Sequence, residues 1–159
     1  MKVIDNFLSS YEFKCLQQHV FDREFIWHFN DGINKSPDPY WFQFYHRLTQ
    51  DDGTTCSPSM DKCMPLIDTL DPEKLLKLKI NLTSRTVFRR FTGYHIDNVP
   101  GAKKTAIFYL NTNNGYTKFR SGKVKSVANR IVIFDSNLEH AGVTCTDEKR
   151  RVVININYV

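Results

Sequence analysis

Two residues in the middle of this chain and one near its end have the types and spacing of a metal site. His95 and Asp97 are two positions apart. On an extended strand, side chains two apart point to the same side, so an imidazole and a carboxylate face one spot. His140 is the candidate third ligand, and the basic pair Arg150-Arg151 follows it. Two histidines and one carboxylate leave one face of a metal ion open, the arrangement that non-haem Fe(II) oxygenases use. The His-x-Asp pair carries little alone: with five histidines and 17 acidic residues in 159, one such pair is unsurprising. Its weight comes from the later histidine and from a basic residue at the head of the last strand.

That last strand, residues 151–158, can be read by parity. Arg151, Val153, Asn155 and Asn157 share one face, and Arg150, Val152, Ile154, Ile156 and Tyr158 share the other. The second set is apolar apart from Arg150 and the tip of Tyr158, so it is expected to pack into a sheet sandwich. Asn155 and Asn157 would need hydrogen-bond partners if buried, as they would have in a wet cavity. Arg151 is therefore the better carboxylate clamp, because a guanidinium meets a carboxylate with two parallel hydrogen bonds. Arg150 is the fallback, and both arginines on a solvated rim is the plainer alternative.

The elements that must position these residues are mostly strands. Residues 3–8 read as a short strand, and Ser9-x-x-Glu12 is a capping box opening a helix to about Asp22. Residues 25–29 and 40–48 read as strands, with a loop at Ser36-Pro37-Asp38-Pro39 between them. A helix is expected over residues 60–70, started by Pro65, and a short helical turn at Asp71-Pro72-Glu73. Strands follow at 78–83 and 87–91, either separate or as one bent strand, then at 105–111, 116–119, 124–127, 130–134 and 151–158. Asn113-Asn114-Gly115 is a hairpin-turn signal. Helices first and then seven or eight strands, without βαβ alternation, fit a mainly β double-stranded β-helix, a cupin-like jelly roll. One domain spanning residues 1–159 is expected, with 1–75 as a helix-containing support and 76–159 as the jelly-roll core.

Bulk properties set limits. A hydrophobic share of 41% and a charged share of 25% are ordinary for a globular domain, and no apolar run is long enough to span a membrane. The first residues lack a signal-peptide pattern, and Cys15, Cys56, Cys63 and Cys145 form no CxxC pair, so free thiols in a reducing cytoplasm are expected. The net charge of +5 comes partly from clusters at Arg85/Arg89/Arg90, Lys103-Lys104, Lys118/Arg120/Lys123/Lys125 and 149–151. These read as a solvated basic face more readily than as a nucleic-acid surface, since no aromatic platform is interleaved with them. Binding of a small anionic co-substrate is a further reading of part of this charge.

Several segments taken in order resemble a known family: Gly93-Tyr94-His95-Ile96-Asp97-Asn98, residues 104–111, residues 129–135, His140 and Arg151-Val152-Val153-Ile154-Asn155. Together they resemble the Fe(II)- and 2-oxoglutarate-dependent dioxygenases. The likeness is greatest to the prolyl-4-hydroxylase branch, in particular the small single-domain members carried by bacteriophages. The resemblance implies that His95, Asp97 and His140 bind Fe(II) and that Arg151 holds the distal carboxylate of 2-oxoglutarate. Tyr109 would bond the same carboxylate, and Thr83 (or Asn81) and Asn155 would complete the pocket. It implies O2 as oxidant, a role for ascorbate, and hydroxylation with release of succinate and CO2. Asp97 as a ligand favours hydroxylation over halogenation. The expected partner is a peptide or protein substrate, and the expected location is the cytoplasm, that of the host if the chain is phage-encoded. The family often has an aromatic where this chain has Asn157, which implies an unusually polar substrate side.

Rival readings stay open on the residues alone. A zinc-dependent hydrolase uses similar ligands, and a basic β-sandwich could bind nucleic acid without catalysis. Free amino acids and nucleic acid are alternative oxygenase substrates. Against nucleic acid, the last strand lacks the second arginine that such repair enzymes carry a few positions after the first.

Overall fold

The first helix starts where the Ser-x-x-Glu pattern puts it. In a computed structural model describing residues 1–32, 41–50 and 52–159, the Ser9 hydroxyl accepts from the Glu12 N–H, and the Glu12 carboxylate accepts from the Ser9 N–H. The described elements, in chain order, are β1 (Lys2–Ile4), α1 (Ser10–Phe21), β2 (His28–Asn30), β3 (Gln43–Arg47), α2 (Met60–Leu70), β4 (Leu75–Ser84), β5 (Lys104–Tyr109), β6 (Tyr116–Phe119), β7 (Gly122–Lys125), β8 (Arg130–Asp135), β9 (His140–Val143) and β10 (Arg150–Tyr158). They form two antiparallel sheets, a seven-stranded one in the order β1-β8-β5-β10-β4-β3-β2 and a three-stranded one in the order β7-β6-β9. Two helices beside two antiparallel sheets make the expected jelly roll.

The large sheet has two different faces. Against one lie α1 and α2: Leu16, Val20, Cys63 and Leu66 pack on Leu78, Ile80, Phe108, Ile131, Val152, Ile154 and Ile156. Against the other lies the small sheet, through a smaller core of Ile107, Tyr109, Phe119, Val124, Val132, Phe134 and Val153. The apolar face of β10 was expected between the sheets. It packs under the helices instead, and the other face of β10 turns Arg151, Asn155 and Asn157, with Val153, towards the small-sheet side.

Several local expectations are corrected. Pro65 neither starts nor breaks α2; it lies inside the helix. The carbonyl it leaves without a donor is that of Asp61, an exposed residue that water can reach. Asp71-Pro72-Glu73 forms no helical turn. Asp71 ends α2 in the left-handed conformation, its N–H bonded to the Ile67 carbonyl, and the Glu73 N–H goes to the Val159 carbonyl. Residues 78–83 extend into one ten-residue strand, whereas 87–91 is not a strand: Val87 and Phe88 are 85% and 80% exposed, with no sheet face to bury them. β1 is shorter than 3–8, and β2 takes only the end of 25–29. Ser36-Pro37-Asp38-Pro39, Tyr40 and Asp51 lie outside the described residues.

Asn113-Asn114-Gly115 is not a hairpin. β5 pairs with β8 and β10, so the segment carries the chain from the large sheet to β6 in the small one. The asparagines bond locally and to a neighbouring loop: Asn113 Oδ1 accepts from the Gly115 N–H, and the Asn114 N–H donates to Asp147. Glycine is needed at 115 for space, since a Cβ there would lie 2.8 Å from Arg151 Cδ.

Candidate active site

His95 and His140 meet through the backbone. Residue 95 forms a single antiparallel bridge with the first residue of β9, and each histidine N–H donates to the other's carbonyl at 3.0 Å. Directly opposed residues on such a pair carry their side chains on the same face. Thr92 extends the contact, its N–H donating to the Gly142 carbonyl and its hydroxyl accepting from the Gly142 N–H. Residues 94–97 belong to no longer strand, yet Asp97 comes to the side where His95 points. Nε2 of His95 lies 3.7 Å from Asp97 Oδ1, and Nε2 of His140 lies 3.9 Å from Oδ2. One ligand atom from each of the three residues lies within 4.8 Å of the others.

The protonation states suit a metal ion. A carbonyl oxygen only accepts, so Nδ1 of His140 donates to Leu138 at 3.1 Å and Nδ1 of His95 donates to Gly93 at 3.3 Å. Each ring then turns its unprotonated Nε2 towards Asp97. Burial pushes the His140 pKa below the ordinary histidine value, against the pull of Asp97, so the ring is neutral near pH 7. Burial pushes the Asp97 carboxyl up. His140 and hydrogen bonds from Asn155 and Asn157 outweigh it, and the net shift is downward.

Those asparagines are the less expected part of the site. Nδ2 of Asn155 donates to Asp97 Oδ2 at 2.9 Å, and Nδ2 of Asn157 donates to the same oxygen at 3.1 Å and to Thr105 Oγ1 at 2.9 Å. A carboxylate offers only acceptors, which fixes the orientation of both amides. Asn157 is therefore not simply a polar residue on the substrate side; its amide holds the carboxylate from behind. Strand parity had put it on the right face, and only the fold supplied its partner.

A cavity of about 220 Å³ opens beside the triad, walled by alternate residues of β4 (Lys77, Lys79, Asn81, Thr83) and of β10 (Arg151, Val153, Asn155, Asn157), with Gln43, Thr92, Ile107, Thr117 and Gly142. Arg151 is 5% exposed. Its Nε donates to Ser126 Oγ at 3.0 Å and its Nη2 to Thr117 Oγ1 at 3.1 Å. Among the described residues no carboxylate pairs with it, and burial lowers its pKa. A buried guanidinium bonded only to hydroxyls is costly unless an anion joins it. Arg150 lies on the opposite face, 4.2 Å from the ring centre of Phe21.

Tyr109 does not line the cavity. It is fully buried behind the wall, and its hydroxyl donates to Thr117 Oγ1 at 2.7 Å. Thr117 thus accepts from both Tyr109 and Arg151, which leaves its own proton to donate into the cavity. Sequence reading missed Thr117; its signal was an inward-facing polar residue between Tyr116 and Lys118 on β6, next to inward Phe119. Thr83 stands directly opposite Arg151 in the β4–β10 register. Four buried polar atoms on the cavity wall have no hydrogen-bond partner among the described residues: His140 Nε2, Thr83 Oγ1, Asn81 Oδ1 and Asn155 Oδ1. A bare imidazole nitrogen beside a second imidazole and a carboxylate is the donor set of a first-row transition ion. The hydroxyls around Arg151 suit a carboxylate.

The basic clusters include aromatics after all. Phe88, between Arg85 and Arg89 in the chain, and Phe91, next to Arg90, are both exposed. Lys118 Nζ sits 5.2 Å from the Phe91 ring centre, and the Arg120 guanidinium 3.8 Å from that of Tyr94. Exposed aromatics on a loop have no periodic pattern to announce them.

No protein-family model matches the chain, and no curated protein matches it in sequence. Solved structures do match in fold. A prolyl hydroxylase from Trichoplax adhaerens, in complex with a peptide fragment of the hypoxia inducible factor oxygen degradation domain, superposes with a TM-score of 0.71 at 15% identity, over 99% of this chain and 82% of that one. A Pseudomonas putida prolyl-4-hydroxylase matches with a TM-score of 0.65 at 15% identity, over 99% and 91%. An oxidoreductase of the 2OG-Fe(II) oxygenase family from Burkholderia pseudomallei matches with a TM-score of 0.66 at 10% identity, over 98% and 83%. The chain therefore has the fold of the 2-oxoglutarate- and Fe(II)-dependent oxygenases.

Proposed function

We propose that this chain is an Fe(II)- and 2-oxoglutarate-dependent dioxygenase that hydroxylates a side chain of a peptide or protein, releasing succinate and CO2. The observation that carries the reading is one cavity holding both a convergent His-Asp-His triad and a buried guanidinium that no carboxylate among the described residues offsets. His95, Asp97 and His140 would hold the iron. Arg151 would take the distal carboxylate of the co-substrate, with the Thr83 and Thr117 hydroxyls donating to it. Tyr109 would act one step back, by fixing Thr117. The iron, with 2-oxoglutarate and O2, supplies the oxidising power.

The protein's part is to place these groups. Asn155 and Asn157 orient Asp97, the backbone carbonyls of Gly93 and Leu138 keep both histidines in the metal-binding tautomer, and Phe119 and Phe134 flank His140, with ring centres 6.3 and 4.9 Å away. The peptide-bound hydroxylase among the fold relatives supports a peptide substrate. The four cysteines are free, and no helix among the described residues is long and apolar enough to cross a membrane; both fit the proposed cytoplasmic location.

Anaerobic titration of the protein with Fe(II) and 2-oxoglutarate tests the reading without the unknown substrate. A visible charge-transfer band that needs both additions is expected. Absence of the band at saturating concentrations of both would refute it.

A further inference from the structure

The three-stranded sheet has an outer face that the oxygenase reading leaves unused. On β6 and β7, Thr117, Phe119 and Val124 point inward and are buried, so Tyr116, Lys118, Lys123 and Lys125 stand on the opposite face, turned away from the cavity. The strand register sets Lys118 directly opposite Lys123, and Tyr116 directly opposite Lys125. Like charges paired across two strands repel, which costs stability unless something negative joins them. All three lysines are exposed. Among the described residues no carboxylate lies within ion-pairing distance of any of them. The next cation along, Arg120, is already matched: its Nε donates to Glu139 Oε2 at 3.0 Å.

Aromatic rings lie in among these cations. Val143 of β9 pairs with Tyr116 on one side and with Phe91 on the other, which carries the outer face across to residues 91–94. Lys123 Nζ sits 5.0 Å from the Tyr116 ring centre and Lys118 Nζ 5.2 Å from that of Phe91, which in turn meets Tyr94 edge-on with ring centres 5.0 Å apart. Cations and rings thus alternate over one sheet face. Residues two apart on a strand are about 7 Å apart, a step that an extended polynucleotide can follow with a phosphate at each lysine. The rings give its bases a surface to stack on, and a stacked base is held more firmly than an exposed ammonium group over the same ring. A duplex offers no free base face, and an acidic peptide would leave the rings idle.

We propose that the outer face of the small sheet binds single-stranded nucleic acid without sequence preference, its phosphates on Lys118, Lys123 and Lys125 and its bases on Tyr116 and Phe91. The site is independent of the oxygenase reading, because it lies on the reverse of the strands whose inward residues face the cavity. The test is fluorescence anisotropy with labelled oligouridylate and oligothymidylate of about 20 nucleotides, longer than a single site of this kind. Three proteins are compared: the wild type, the triple variant Lys118→Gln/Lys123→Gln/Lys125→Gln, and the double variant Phe91→Leu/Tyr116→Leu. Circular dichroism checks that both variants are folded, and the triple variant changes exposed side chains only.

The wild type is expected to bind both oligonucleotides with a Kd of about 10 μM or below at low salt, and to lose affinity as salt rises. The triple variant should bind about tenfold more weakly or worse. Its slope of log affinity against log salt should be smaller by about two, since each phosphate contact on a single strand contributes about 0.7. The double variant should also bind about tenfold more weakly, but with the salt slope of the wild type, because it loses stacking and keeps its charge. No binding at low salt, or wild-type affinity in either variant, would overturn the proposal. So would binding as tight to a duplex of the same length, to polyglutamate or to vesicles of anionic phospholipid. No metal or co-substrate is added, so the outcome is separate from that of the iron titration.

Discussion

The two faces of the seven-stranded sheet are built from alternate residues of the same strands, yet where β4 and β10 run side by side they carry opposite chemistry. On β10, Val152, Ile154 and Ile156 are fully buried against the helices, while Arg151, Asn155 and Asn157 line the cavity on the reverse side. β4 repeats the division, with Leu78 and Ile80 on one side and Lys77, Lys79, Asn81 and Thr83 on the other. The helix side is a dry hydrocarbon core, where each side chain contributes by burial. The cavity side keeps unmatched polar atoms and a desolvated cation, each of which costs stability. A single sheet thus separates what holds the fold together from what is available for chemistry, and substitutions on the two sides should have separable consequences.

The sharpest separation is expected at the ligands. Asp97→Ala or His140→Ala should abolish the Fe(II)/2-oxoglutarate absorption band and all succinate formation, while circular dichroism and the melting temperature stay near wild type; full activity in both variants would remove the metal site. On the opposite face, Ile154→Ala should cost about 2–5 kcal/mol by leaving a cavity in the helix-side core. Urea denaturation would read that loss, and the protein that remains folded should titrate with iron and co-substrate like wild type.

Arg151→Ala and Arg150→Ala compare the faces through neighbouring residues of like charge. Loss of Arg151 should raise the 2-oxoglutarate concentration needed for half of the absorption change by about thirtyfold or more, because a buried charged contact is lost. Arg150→Ala should leave that titration unchanged; a loss confined to Arg150→Ala would reverse the assignment of the faces. Asn157→Ala tests the smallest effect. Without its bond to Asp97, Fe(II) affinity should fall about 10-fold, in the range for a residue that orients a ligand, and the unfolding midpoint should move little.

What could be read along the chain and what could not divide by the range of the interaction. The capping box at Ser9 and Glu12 involves neighbours, and it forms as written. The convergence of His95 and Asp97 is between near neighbours, and it holds although residues 94–97 belong to no long strand. Parity along β10 puts Arg151, rather than Arg150, at the cavity. By contrast, His140-Ala141-Gly142-Val143 has no alternation to mark it as a strand. It becomes β9 by pairing with β6 and with the segment before His95. Asn113-Asn114-Gly115 carries a local turn signal that the sheets overrule, and its glycine is required by the closeness of the Val143 carbonyl and the Arg151 side chain. Thr117 and Asn157 are ordinary polar residues until the fold sets Tyr109 and Arg151 against one and Asp97 against the other.

By itself, the sequence determined the class of fold, the alternation that gives each long strand an oily and a polar side, and the residue types able to bind a transition metal. Those follow from backbone geometry and side-chain chemistry, which act within a few residues. Only the tertiary structure decided that two histidines 45 positions apart share one reciprocal backbone pair. It also decided that two asparagines support the carboxylate between them, and that a tyrosine expected at the cavity wall stands behind it. Each is a contact between distant parts of the chain, and its partner is chosen by which strands the sheets place side by side.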